Sequence, residues 1–246
     1  MLTIDLNCDM GEGMPYDADI MPYISSVNIA CGYHAGSDEI MKRTVELALQ
    51  NNVAIGVHPG FADKENFGRK EIYMLSRNYY ELIIEQLAIL KKITGSFSVT
   101  IHHVKPHGAL YNMAAKDKTL AAIIAQAVKD FDDKLILYGL SGSESINEAK
   151  ALNLQSANEV FADRTYQDDG NLTPRSQTNA LIEDENASIQ QVLQMITQKT
   201  VTSVNNKTVP IIAETICIHG DGEHAVEFAK LIHQNLKQNH IAIKAL

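Results

Sequence analysis

SVNIACGYHAGSDEIMKRTVELALQNNVAIGVHPG, residues 26–60, reads as strand, helix and strand, and each apolar run opens into a polar segment carrying histidine. Val27–Ala30 and Val53–Val57 are short runs rich in β-branched residues, as strands buried on both faces require. Between them, Asp38–Asn52 sets Ile40, Met41, Val45, Ala48 and Leu49 at helical spacing, with Asp38 and Glu39 at the positive end of the helix dipole. A helix between two strands is the crossover that parallel neighbours need. In such a unit the carboxyl ends of the strands lie on one rim, where His34 and His58 follow their strands.

The same alternation extends in both directions. Further strand-like runs occur at Leu2–Leu6, Ser98–Val104, Lys134–Tyr138, Gln155–Phe161 and Val209–Ile218, with a weaker one at Ile241–Ile243. Helical patterns cover Tyr79–Ile93, Thr119–Val128, Glu144–Leu152, Ala187–Gln198 and Glu223–Leu236. About seven or eight strands alternating with helices predict an α/β fold with a parallel sheet, closed into a TIM-like β/α barrel, and 246 residues suit one such domain spanning 1–246. The polar segments Asp9–Ser25, Gly60–Arg77 and Ala162–Glu185 follow strands, which places them on the rim as loops of functional length.

The net charge of −9 offers nothing attractive to nucleic acid or an anionic bilayer. Leu2–Leu6 enters strand-like sequence directly, without the basic and apolar regions of a secretory signal, and Cys8, Cys31 and Cys217 are odd in number and scattered. A cytoplasmic location is the expectation. Neither a Walker loop nor a Gly-x-Gly-x-x-Gly fingerprint is present, so this chain shows no nucleotide site of its own.

Four of the nine histidines, His34, His58, His107 and His219, sit beside glycine at the ends of apolar runs. Glycine permits sharp turning while the imidazole offers titration near neutrality or a metal-binding nitrogen. Asp9 and Glu12 follow the first strand and form a carboxylate pair, whose mutual repulsion separates an acid from a base. Lys105, held extended by Pro106, is suited to neutralise a substrate anion or, with a lowered pKa, to act as nucleophile. Asn112 is placed to hydrogen-bond an amide or carboxylate. Asp163-Arg164, Arg175 and Arg69 bring guanidinium forks suited to carboxylate or phosphate. His102 and His103 face opposite sides of their strand, so only one can look into the barrel.

The strings DLNCDMGEG (5–13), SVNIACGYHAG (26–36), GVHPGFAD (56–63) with FGRK (67–70), VKPHGALYN (104–112), EVFADRTY (159–166) with LTPR (172–175), and ICIHGD (216–221) together closely resemble the LamB/YcsF family. The resemblance implies a seven-stranded β/α barrel of the glycoside hydrolase/deacetylase kind. It also implies a part in ATP-dependent hydrolysis of 5-oxo-L-proline to L-glutamate beside 5-oxoprolinase subunits B and C, with ATP a co-substrate of the complex. Matching motif positions are Asp5, Asn7, Asp9, Glu12, Asn28, His34, His58, Arg69, Lys105, His107, Asn112, Asp163, Arg164, Arg175, His219 and Asp221. Ser37 stands where the family usually has aspartate, Lys70 replaces a common arginine, and Gly222-Glu223 replaces Thr-Pro, leaving the first turns of two helices open to question.

On this reading Asp9, Glu12, His34, His58, Lys105, His107, His219 and Asp221 are catalytic, and Asn7, Asn28, Arg69, Asn112, Asp163, Arg164 and Arg175 bind substrate. Asp9 or a histidine takes a proton from water, His107 or His219 protonates the leaving nitrogen, and Lys105 or Arg164 holds the substrate carboxylate. Whether a divalent metal is bound stays open, with Asp9, His34 and His58 as candidates, and so does assembly into a homo-oligomer. Two alternatives accompany this reading: a metal-dependent amidase or deacetylase acting on a carbohydrate or acylated amine, and a non-catalytic lactam- or carbohydrate-binding protein.

Overall fold

The first strand, β1 (Leu2–Met10), divides its residues between two environments. Leu6, Cys8 and Met10 pack outward into the apolar core beneath the helices, while Asp5, Asn7 and Asp9 face the opposite way, as period-two alternation dictates. The structure is a computed structural model that describes residues 2–218 and 225–246.

The chain proceeds through α1 (Asp17–Ile20), one 3-10 turn, β2 (Ser26–Ala30), α2 (Asp38–Gln50), β3 (Ala54–His58), α3 (Ser76–Ser96), β4 (His103–Val104), α4 (Gly108–Lys116) and α5 (Lys118–Phe131). It continues as β5 (Ile136–Leu140), α6 (Glu144–Ala151), β6 (Ser156–Phe161), α7 (Glu185–Gln198), β7 (Thr200–Thr202), β8 (Thr208–Pro210), β9 (Thr215–Ile218), α8 (Ala225–Gln238) and β10 (Ile241–Ile243). Strands β1 to β6 pair in parallel in sequence order, and β9 closes the ring by pairing with both β6 and β1. The result is the seven-stranded parallel barrel expected, with β10 added beside the amino-terminal half of β1, where Leu2 meets Ile241.

Two strand readings need correction. Val209–Ile218 is not one strand: Thr208–Pro210 turns away to pair antiparallel with β7, and only Thr215–Ile218 enters the barrel. Pro210 lacks the N–H that a central strand would use. Ser98–Val104 shortens to His103–Val104, because Ser98 takes a left-handed backbone (φ 56°) as α3 ends and the amides of Ser98 and Val99 turn back to Gly95 and Thr94. Helix α4 was not foreseen. Its residues Ala109, Leu110, Tyr111, Met113, Ala114 and Ala115 are buried nearly all round, so no amphipathic period marks it.

The helix starts follow local chemistry. Ser37 caps α2 by accepting from the Ile40 amide, so serine does here what aspartate would do. Asp117 caps α5 through the Thr119 and Leu120 amides, and Asp184 caps α7 through that of Ala187. Among the described residues no helix is long and apolar enough to cross a membrane.

Candidate active site

The barrel interior is filled by a hydrogen-bonded polar column rather than by apolar layers. At its base the Asp5 carboxylate accepts from Ser25, Ser26, Tyr138 and Thr215. One level up, Asn7 donates to Glu159 and Thr215, and Asn28 donates to Asn7 Oδ1 and Asp9 Oδ1, both at 2.8 Å. His103 Nε2 lies 2.8 Å from Asn28 Oδ1, and its ring stacks on Tyr138. A Cβ at Gly56 would collide with that imidazole, so only glycine on β3 lets His103 lie there. His102 points outward to the Leu246 carbonyl, consistent with the alternation.

Above the column, at the carboxyl ends of the strands, opens a cavity of about 470 Å³. Asp9, Glu12, His58, Lys105 and His107 form its floor, with Arg69, Asn112, Arg164 and Arg175 in its walls. The structure therefore brings together nine of the residues singled out in the sequence. His34 is buried behind them, stacked on His107 with ring centroids 3.8 Å apart and planes 2° from parallel. Asn7 and Asn28 lie beneath the cavity, buried in the column. Asp163 is half-buried at the exit of β6, outside the lining, its carbonyl accepting from Ile182. His219 and Asp221 lie outside the described residues.

Lys105 is the electrostatic hinge of this floor. Its ammonium, almost wholly buried, donates to Asp9 Oδ1 at 2.9 Å, to Cys217 Sγ at 3.0 Å and to Asn7 Oδ1 at 3.3 Å, and forms an ion pair with Glu159 Oε1 at 2.9 Å. Burial alone would lower its pKa, but the two carboxylates override it and hold Lys105 well above the ordinary lysine value. It is thus a fixed cation, and its use as a neutral nucleophile is set aside. Glu159 was not singled out in the sequence. Its signal was an acid inside a strand of a doubly covered sheet, where a charge can face only the barrel interior. Burial raises the thiol pKa of Cys8, Cys31 and Cys217, in Cys31 to about 12, so none is a ready thiolate.

The histidines are held by backbone carbonyls. His58 Nδ1 lies 2.7 Å from the Lys105 carbonyl and His107 Nε2 lies 2.8 Å from the Phe67 carbonyl. A carbonyl only accepts, so each of those nitrogens carries the proton and turns its partner nitrogen inward. Burial, reinforced by His58, lowers the pKa of His34 to about 3 and that of His107 to about 2, so both rings are neutral at ordinary pH. Asp9 Oδ2 stands 3.3 Å from His58 Nε2.

The long loop 162–184 is folded back on itself by paired bridges, Arg164 with Leu181 and Tyr166 with Leu172. The Arg164 guanidinium donates to the carbonyls of Ala180 and Thr173, stapling the loop while still lining the cavity. Burial, with help from Arg175, lowers its pKa to about 10 without removing the charge at neutral pH.

Comparison with known proteins agrees with this architecture. Two curated relatives, each named as the A component of 5-oxoprolinase, come from Tolumonas auensis (50% identical, covering all of both chains) and Geobacillus kaustophilus (51% identical, covering all of this chain and 97% of the other). The lactam utilization protein from Thermus thermophilus superposes with a TM-score of 0.94 at 36% identity over the full length of both. A family 4 carbohydrate esterase from Streptomyces lividans shares only the fold, with a TM-score of 0.54 at 10% identity over 98% of this chain and 91% of that one. The model of the LamB/YcsF family matches residues 4–246, and the chain belongs to that family.

Proposed function

We propose that this chain is the A component of an ATP-dependent 5-oxoprolinase, acting with subunits B and C to hydrolyse 5-oxo-L-proline to L-glutamate. The observation that carries this reading is the convergence of Asp9, Glu12, His58 and Lys105 in one rim cavity, in a chain about 50% identical over its full length to proteins named for that activity.

An unstrained five-membered lactam resists hydrolysis, and coupling to ATP drives its opening. In this reading the partner proteins transfer a phosphoryl group from ATP to the lactam oxygen, and the barrel completes the reaction. Water adds to the activated carbon, the ring C–N bond breaks as the nitrogen takes a proton to give an acyl phosphate, and a second water hydrolyses that acyl phosphate to glutamate and phosphate.

Asp9, beside His58, accepts the proton from water, while Lys105 holds the Asp9 carboxylate in place and offsets negative charge on the floor. Because Lys105 is already engaged by two carboxylates, recognition of the substrate's own carboxylate and phosphate falls to Arg69, Arg164 and Arg175 in the walls. His107 is neutral and presents a lone pair, which favours His219 over His107 as proton donor to the leaving nitrogen.

The test is glutamate release by the three purified components with ATP. Omitting this chain abolishes release, and Asp9→Asn and His58→Gln each reduce it by more than about 100-fold, the scale of general acid–base catalysis, with circular dichroism unchanged. Full-rate release without the chain, or by both variants, overturns the assignment. ATP-independent cleavage of an acylated amine by the chain alone would instead identify an amidase.

A further inference from the structure

Around Glu12 one ring nitrogen from each of three imidazoles faces a carboxylate oxygen. One atom each from Glu12, His34, His58 and His107 lies within 4.8 Å of the other three. His58 and His107 are fixed through their outer nitrogens by the Lys105 and Phe67 carbonyls, so His58 Nε2 and His107 Nδ1 face each other at 2.9 Å. Glu12 Oε1 lies 3.4 Å from His107 Nδ1, 3.9 Å from His58 Nε2 and 3.3 Å from His34 Nε2. The Nδ1 lone pair of neutral His107 and the Glu12 oxygen, 3.4 Å apart, repel unless something positive stands between them. His34, 1% exposed, turns its Nε2 toward Glu12, 3.3 Å away.

We propose that Glu12, His34, His58 and His107 form a binding site for one divalent first-row transition-metal ion, of which Zn2+ is the best chemical match. The spacing fits. Zinc takes nitrogen and carboxylate ligands at about 2.0–2.2 Å, which in a tetrahedron sets neighbouring ligand atoms about 3.3 Å apart, and four of the separations here are 2.9, 3.3, 3.4 and 3.9 Å. The donor type fits as well, since imidazole suits zinc, cobalt, nickel and copper, whereas magnesium and calcium call for oxygen. The outer hydrogen bonds from His58 and His107 to carbonyls are those by which metal-binding imidazoles are oriented.

The surrounding backbone is shaped to bring the rings together. A Cβ at Gly60 would stand 2.5 Å from His34 Nδ1, and one at Gly68, where φ is +62°, would stand 2.9 Å from His34 Cβ and 3.0 Å from His107 Cδ2. Glycine at both positions lets the loop after β3 press against the ring stack. Asp9 borders the set of four: its Oδ1 accepts from Lys105 and Asn28, and its Oδ2 lies 3.3 Å from His58 Nε2. The set differs from the candidates Asp9, His34 and His58 named from the sequence, where metal binding itself was left open: Glu12 takes the place of Asp9, and His107 joins.

The site deepens the oxoprolinase reading, since it shares that cavity, but its test does not depend on turnover. The full chain is stripped with a chelator, dialysed, and titrated separately with Zn2+, Co2+ and Mg2+, following bound metal by elemental analysis, melting temperature, and visible absorption of the cobalt form. One equivalent of Zn2+ per chain, a raised melting temperature, a cobalt spectrum of low-symmetry nitrogen/oxygen coordination and no response to Mg2+ are expected. His58→Gln and His107→Gln each weaken Zn2+ binding more than about tenfold, the low end of what even outer-shell changes cost. His233→Gln, whose ring bonds the Tyr23 carbonyl elsewhere, leaves it unchanged. If the histidine variants fold poorly, Glu12→Gln and the cobalt spectrum of the unaltered chain serve in their place. Failure of the unaltered chain to hold stoichiometric Zn2+ or Co2+, or binding unchanged in both histidine variants, overturns the inference. Either result leaves glutamate release by the three-component mixture to be judged separately.

Discussion

Replacing Lys105 by methionine keeps the length of the side chain and deletes its charge. The ammonium touches Asp9 Oδ1 and Glu159 Oε1 at 2.9 Å each, and it is 2% exposed, so its loss strands carboxylates inside the barrel without their cation. Breaking a buried ion pair by removing one partner costs about 3–5 kcal/mol. For a chain of this size each kcal/mol moves the melting temperature by about 2–4 °C, so Lys105→Met should melt roughly 6–20 °C lower. Urea unfolding at pH 7 should show the midpoint falling with the m-value unchanged.

Adding Glu159→Gln to that variant removes one stranded charge and should recover part of the loss, with a coupling of about 0.5–3 kcal/mol between the two positions. The pH dependence has a definite sign. The folded lysine pKa lies above the unfolded value of about 10.4, so the Lys105 contribution is complete below that pH and fades as pH rises through the folded value. The deficit of the single variant should therefore be steady from neutrality to about pH 10 and shrink beyond it. A loss under about 1 kcal/mol, the worth of an exposed pair, would refute this account of the floor.

Gly56→Ala pushes a methyl group into the His103 imidazole, and overpacking of this kind costs about 1–3 kcal/mol; calorimetry showing an unchanged melting temperature would mean the barrel interior has slack. The metal-free chain should lose stability as pH falls from about 6.5 toward 3. His34 and His107, with pKa values lowered to about 3 and about 2, stay unprotonated when folded but gain protons when unfolded across that window. Chemical unfolding at stepped pH, with His34→Gln flattening the slope, checks this, and identical slopes in both proteins would contradict it.

Where chain pattern and three-dimensional constraint coincide, the fold was legible. The run 26–60 carried a complete strand–helix–strand unit because both strands are covered on two faces and α2 shows an apolar stripe. Helix α4 was illegible for the converse reason, being buried on nearly every side. Within Val209–Ile218 the run of apolar residues masked a change of partner, with Pro210 as the readable warning. Of the site, the residues carried by rim motifs were visible, whereas Glu159 was not singled out and the choice between His102 and His103 as the inward ring was left open, because the partners Lys105 and Asn28 come from elements 54 and 75 residues away in sequence. Glu12 and His107 were seen as acid and base, but their shared focus with His34 and His58 depends on carbonyls supplied by Phe67 and Lys105, which leave no trace in side-chain identity.

The polar column also limits how this protein can drift. An apolar barrel tolerates exchange of one aliphatic residue for another when volume is kept, whereas here the side chains of the column are defined by the donors and acceptors facing them. Asn28 can become another residue only if Asn7, Asp9 and His103 are re-satisfied at the same time. Viable sequence change inside this barrel should therefore come as paired or grouped exchanges, and engineering of the rim is best undertaken with the ladder beneath it left intact.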